Sequence, residues 1–364
     1  MSSTKYYPQL DSLRALAALA VVMDHFFEGT WLIKLFPIGD LGIRFFFTLS
    51  GFLITGILLK GRKNFEQGGS SFTLFYHFYM RRFLRLFPIY YLYLLVVFIF
   101  IYGTLDSSIF FFAYIQNFIY YIQGGYGDYT QLLRHFWTLA VEEQFYILWP
   151  FVIIFTPHKY LQNILIGLIV FGIGYQGISA ILGSSQFQIS MMVFAHFDTL
   201  VVGSLLAYLV SFESKRVSLF AWCGAIFGFL LFVIVFLSKV LGWHSSWELL
   251  LGGLGAGLIS ILIINVCRLG LKGPLGTILD NPILIYIGRI SYGIYVYHLL
   301  VFYVLDNYHI SLPPLVIMEL DLSNFVFYTF CSILVSAISW QLYELPLNRL
   351  KAKFVMSSAK TKSG

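Results

Sequence analysis

The stretch LDSLRALAALAVVMDHFF, residues 10–27, is long and apolar enough to enter a bilayer, yet it carries Arg14, Asp24 and His25. An ionisable side chain at membrane depth costs about 2.5–3.5 kcal/mol on insertion scales, so it is placed facing protein or a water-filled cavity. At about 100° per residue, the steps from Arg14 to His25 come to roughly three turns plus 20°, which sets both on one face of a helix. A rise of about 1.5 Å per residue separates them by roughly 16 Å, about half the hydrocarbon thickness. The helix thus presents a cation low on one face and an imidazole higher on the same face.

The rest of the chain has to surround that face with lipid-compatible structure. Of 364 residues, 59% are hydrophobic and only 11% charged, an excess of apolar surface that a water-soluble domain has no use for. Windows of about twenty residues predict an all-α, polytopic integral membrane bundle. It has about ten transmembrane helices, near 11–31, 40–60, 82–104, 138–156, 160–182, 194–212, 217–240, 247–267, 285–306 and 324–345. These segments leave no stretch for a soluble catalytic module, and the N-terminus lacks the pattern of a cleaved signal. Cys223, Cys267 and Cys331 are scattered through apolar runs and read as small buried hydrophobes, with no metal site.

The basic residues set orientation. Lys60, Arg62, Lys63, Arg81, Arg82, Arg85, Lys159, Lys215, Arg216, Arg268, Lys272 and Arg289 fall on one side with both termini, while the other side holds only Lys34, Arg134 and Lys239. The positive-inside rule makes both termini cytoplasmic. Residues 61–81, with their GGSS, are expected to form a mobile cytoplasmic linker leading into an interfacial helix. The aromatic segment 102–135 is expected to be re-entrant or interfacial on the outer side. Residues 351–364 read as a disordered basic tail.

With that topology, Asp24, His25, Glu142, Glu143, Asp198 and His298 fall in one outer layer, and Arg44 lies in the outer third of the second span. FYMRRFLRLFP places Arg82 and Arg85 three residues apart on one cytoplasmic helix face. Paired guanidinium groups suit phosphate, because each can make a bidentate charge-assisted contact. Arg14 lies near the same level.

The ordered series LDSLRALAALAVVMDHF, LGIRFFFTLSGFLI, FYMRRFLRLFPIYY, HFWTLAVEEQFYILWP, FDTLVVGSLLA, IGRISYGIYVYH and ISWQLYELP resembles the acyltransferase-3 family over nearly the whole chain. The resemblance implies an integral membrane O-acyltransferase domain at 1–350 that moves an acetyl group from cytoplasmic acetyl-CoA to a hydroxyl of an extracytoplasmic acceptor, a cell-surface glycan. It implies an Arg-to-His motif at Arg14 and His25, a paired-arginine motif at Arg82 and Arg85, and a helix motif containing Glu142 and Tyr146. That last motif often begins with Ser, where this chain has Ala140. It also implies the inner membrane of a bacterium.

Transfer from a thioester to an alcohol needs a base for the alcohol and help for the developing oxyanion. His25 is the candidate base, since imidazole titrates near neutrality. Asp24 is its neighbour in sequence but points about 100° away on the helix, so Glu142 is expected to orient the imidazole. Arg44 is expected to pair with Glu142 or Asp24. Direct transfer and an acyl-histidine intermediate are both open. Each residue also has a plainer explanation: Arg14 snorkelling to headgroups, the arginine pair meeting anionic lipid, and His298 as a structural contact between helices. The rival functions are a transporter and a carrier that passes acetyl groups to a separate transferase. Intramembrane charge serves either, but the halves show no symmetry.

Overall fold

The computed structural model describes residues 6–104, 108–127, 130–212, 216–242 and 247–354. Lipid offers no hydrogen bonds, so the backbone must satisfy itself inside each segment, and helices are the result. The helices are α1 (Pro8–Phe26), α2 (Ile38–Glu66), α3 (Ser71–Val96), α4 (Trp137–Phe155), α5 (His158–Ile181), α6 (Phe197–Phe212), α7 (Val217–Val240), α8 (Trp247–Leu269), α9 (Pro282–Arg289), α10 (Ser291–Asn307) and α11 (Leu322–Ser339). Short helical turns join them, and one antiparallel pair of two-residue strands, β1 (Val316–Ile317) and β2 (Leu320–Asp321), closes the loop before α11. The protein is an all-α polytopic membrane bundle.

Among the described residues, eight helices are long and apolar enough to cross a membrane, or nine if α9 and α10 make one span. The expected ten also include α1, 19 residues long, whose Asp11, Arg14 and Asp24 keep it out of that count. It packs along α2, α9 and α10 with Ala15, Ala18, Val21 and Val22 buried. The expected straight span at 285–306 is in fact broken, since α9 and α10 meet at 71°. The segment 61–81 also departs from expectation: α2 runs on to Glu66, and α3 starts at Ser71 with the Ser70 hydroxyl accepting from the Thr73 backbone N–H. The extension of α2 is held by Arg62, which bonds Glu66 and the carbonyls of Ile153 and Thr156. Cys223 is exposed rather than buried. Of the basic tail, Lys351–Lys353 forms a helical turn and residues 355–364 lie outside the described residues.

The described parts of the aromatic segment 102–135 include short helices whose polar side chains tie them to the bundle. Gln116 donates to the Phe136 carbonyl at 2.8 Å, and Asn117 donates to the Met191 carbonyl at 2.9 Å. This clamps the start of α4, where the catalytic candidates begin.

The centre of the bundle is α6, in a segment 83% buried, against 17% for α5 and 22% for α7. Its contact with α2 is backbone to backbone. A Cβ on Gly51 would stand 1.8 Å from the Leu200 carbonyl oxygen, and one on Gly203 would stand 1.9 Å from the Thr48 carbonyl oxygen. Small residues allow this approach, and in lipid such packing replaces the hydrophobic effect as the source of helix association.

Gly51→Ala and Gly203→Ala should each lower the melting temperature of the detergent-solubilised protein, by a loss of about 1–3 kcal/mol or more. Gly56→Ala, on the same helix but with open space around the new methyl, should leave it unchanged or slightly higher.

Candidate active site

Helices α1, α2, α3, α4 and α10 enclose a cavity of about 90 Å3, room for roughly six waters or a slender extended chain. Arg14, Arg82 and Arg85 line it together with Glu142, Ser50 and Tyr146. The three arginines thus converge from two helices remote in sequence. Arg14 is steadied by Asp11, 3.3 Å away one turn earlier on α1, and Arg82 lies 5.1 Å from the centre of the Tyr146 ring, a cation–π distance. The arginines on α3 reach this cavity because Arg82 and Arg85 are one helical turn apart, whereas Arg81 does not line it.

Glu142 faces the arginines. Its carboxylate accepts from the Ser50 hydroxyl at 2.7 Å, and the Tyr146 hydroxyl donates to Ser50 at 3.0 Å. Tyr146 and Glu142 are one turn apart on α4, so a single hydroxyl on α2 joins both. Ser50 escaped the sequence reading. The signal was its place beside Gly51, whose close contact with α6 fixes the rotation of α2.

His25 lies elsewhere. Its expected partner Glu142 is engaged with Ser50, and the imidazole instead meets His298 of α10, with Nδ1 and Nε2 2.7 Å apart. His135 completes a group of three rings, with centroids 6.2 Å from His25 and 5.0 Å from His298. Asp24 does not join them. Its carboxylate accepts from the Gly39 backbone N–H at 2.9 Å, satisfying one of the free donors in the first turn of α2. Arg44 pairs with neither Glu142 nor Asp24. It bonds Asp40 at 2.7 Å and approaches Asp198 at 3.8 Å, where Gln176 also donates. A Cβ on Gly253 would fall 2.2 Å from the Arg44 guanidinium, so α8 leaves just the space this ion pair occupies. Arg44 is a buried structural tie between α2 and α6.

The single polar layer expected from depth is therefore three clusters: the cavity, the histidines, and the Arg44–Asp198 pair. The cavity does not open onto His25. On the side toward the histidines its walls include Thr138 and Tyr295, whose hydroxyls bond each other, while Tyr295 also donates to the His135 carbonyl at 2.6 Å. One layer of side chains stands between the arginine-lined cavity and the imidazoles. His25 itself is half-buried, and His298 is fully buried.

Comparison with known proteins bears on this arrangement. A putative O-acetyltransferase of Staphylococcus aureus (strain COL) is 27% identical over 95% of this chain and 58% of its own length. The peptidoglycan O-acetyltransferase OatA of Listeria monocytogenes is 28% identical over 95% of this chain and 56% of its own. The O-acetyltransferase OatA of Staphylococcus aureus (strain MRSA252) is 26% identical over all of this chain and 60% of its own. The chain spans less than two thirds of the length of these curated relatives. No solved structure matches. Residues 7–343 match the acyltransferase domain described as acyltransferase-3, and the chain, with its arginine-lined cavity and its buried imidazoles, belongs to that family.

Proposed function

We propose that this protein is a membrane O-acetyltransferase that takes an acetyl group from acetyl-CoA and delivers it to a hydroxyl of a glycan such as peptidoglycan. The observation that carries this reading is the convergence of Arg14, Arg82 and Arg85 on one narrow cavity that ends a single side-chain layer from the imidazoles. In this reading the phosphates stay with the arginines at the mouth of the cavity while the thioester arm extends inward. On the positive-inside rule, that mouth faces the cytoplasm, with both termini, and the histidines face the other side of a bacterial inner membrane. The name of the Listeria monocytogenes relative, a peptidoglycan O-acetyltransferase, points to a carbohydrate acceptor.

In the reaction the acceptor oxygen attacks the thioester carbonyl carbon, and His25 takes the hydroxyl proton. The carbon–sulfur bond breaks, and the departing thiolate receives that proton, so no net charge is left in the site. The Glu142–Ser50–Tyr146 chain holds the Arg82 side of the cavity in place. An acyl-histidine route uses the same imidazole as nucleophile, with the acetyl resting on His25 before the hydroxyl arrives. In either route the Tyr295 side chain, which lines the cavity and bonds Thr138 and the His135 carbonyl, would turn aside to let the acetyl group reach the imidazole.

With labelled acetyl-CoA and a polysaccharide acceptor, the purified protein should transfer the label, and His25→Ala should lower turnover by about 10²–10⁴-fold at unchanged melting temperature. Unchanged turnover would remove His25 from the chemistry. A transporter would show flux of a solute with no acetyl consumed.

Arg82→Ala combined with Arg85→Ala should raise the KM for acetyl-CoA far more than it lowers kcat. Added salt should weaken donor binding to the wild-type protein, and this dependence should be flatter in the double variant, because screening acts on the charge that has been removed.

A further inference from the structure

We propose that His298 is a positioning residue that fixes which nitrogen of His25 carries the proton. The proposal rests on the reading of His25 as the group that meets the acceptor hydroxyl or the acetyl group.

His298 is buried on α10 with no exposed surface. Its Nδ1 lies 2.8 Å from the Tyr295 carbonyl oxygen and 3.2 Å from that of Ile294. A carbonyl oxygen only accepts, so the hydrogen in these contacts belongs to His298 Nδ1. In a neutral imidazole the other nitrogen is then a bare acceptor. That nitrogen, His298 Nε2, is the one 2.7 Å from His25 Nδ1, and the hydrogen shared between the rings must come from His25.

The geometry of the rings agrees. They are coplanar to 8° with centroids 5.0 Å apart, a separation that equals the N···N distance plus the two ring radii. They meet edge to edge, along the line of an N–H···N bond, rather than face to face. No ion pair among the described residues involves either ring, so the two share one proton between neutral imidazoles. Two backbone carbonyls of α10 therefore set His298, and His298 sets His25. The consequence is a lone pair on His25 Nε2, the atom that both direct transfer and an acyl-histidine route require. Where many catalytic histidines are oriented by a carboxylate, this one is oriented by a neutral ring, and the cluster carries no buried charge that lipid-surrounded protein would have to balance.

Three variants of the whole protein test it. Gln at 298 places a carbonyl oxygen near the position of Nε2 and can accept from His25; Asn reaches only the position of Nδ1, and Ala reaches neither. His298→Ala and His298→Asn should lower kcat by about 10–100-fold with the KM for acetyl-CoA unchanged, and His298→Gln should restore most of it. Equal loss in all three would reduce His298 to packing and overturn the proposal. Nitrogen NMR of protein with isotopically labelled histidine, with the His25 signals assigned by their loss in His25→Ala, reads the tautomer directly. The wild type and His298→Gln should show His25 protonated at Nδ1 and bare at Nε2, and His298→Ala should lose that preference. A wild-type His25 protonated at Nε2 would overturn the proposal. The spectrum needs no turnover, so it decides the tautomer even if His25→Ala proves fully active and the catalytic reading falls.

Discussion

Inside a bundle surrounded by lipid, each polar side chain has only other protein groups to answer it, and this requirement sorts the ionisable residues of the chain. Arg44 has two carboxylates, Asp40 and Asp198, and a space kept open by Gly253. Asp24 has a backbone donor in the first turn of α2, the Gly39 N–H. Once these are satisfied they are finished, and they serve as ties between helices. Arg82 and Arg85 differ because they are in no ion pair among the described residues and line a cavity, with the Tyr146 ring against Arg82. Cations left facing open space inside apolar protein are what an anionic ligand would complete.

The same constraint explains how much of this was legible beforehand. Helices and the membrane class follow from hydrophobic runs, because in lipid each segment closes its own hydrogen bonds and local pattern is nearly sufficient. Arg14, Arg82 and Arg85 were legible as a group because helix period and depth together put them at one level. What depth does not carry is rotation about each helix axis. Glu142 and His298 are both compatible with His25 in height, and only the angular setting of α4 and α10 makes His298 the partner. That setting comes from contacts such as Tyr295 with the His135 carbonyl and Tyr292 with that of Leu86, which are specific to the assembled bundle. Ser50 was invisible for the same reason, since its importance lies in what Gly51 permits. The break between α9 and α10 was hidden because both pieces are apolar and the bend falls at one residue, Ile290.

Placing the imidazoles beside a helix terminus and a broken span also gives the site its rigidity. His298 sits two turns into α10, held by carbonyls of its own helix, while His25 ends α1, the most polar of the interior helices. The arginine-lined cavity is held by side-chain contacts instead, with Arg14 against Asp11, Arg82 over the Tyr146 ring, and Ser50 joining Glu142 to Tyr146.

The hydroxyl pair of Thr138 and Tyr295 has a further meaning for a protein set in a membrane. A passage wide enough for a thioester arm would, if it ran through, let protons and small ions leak down their gradients. Here the bonded Thr138 and Tyr295 side chains form part of the cavity wall, and the arginine-lined space and the imidazoles are kept apart within the bundle.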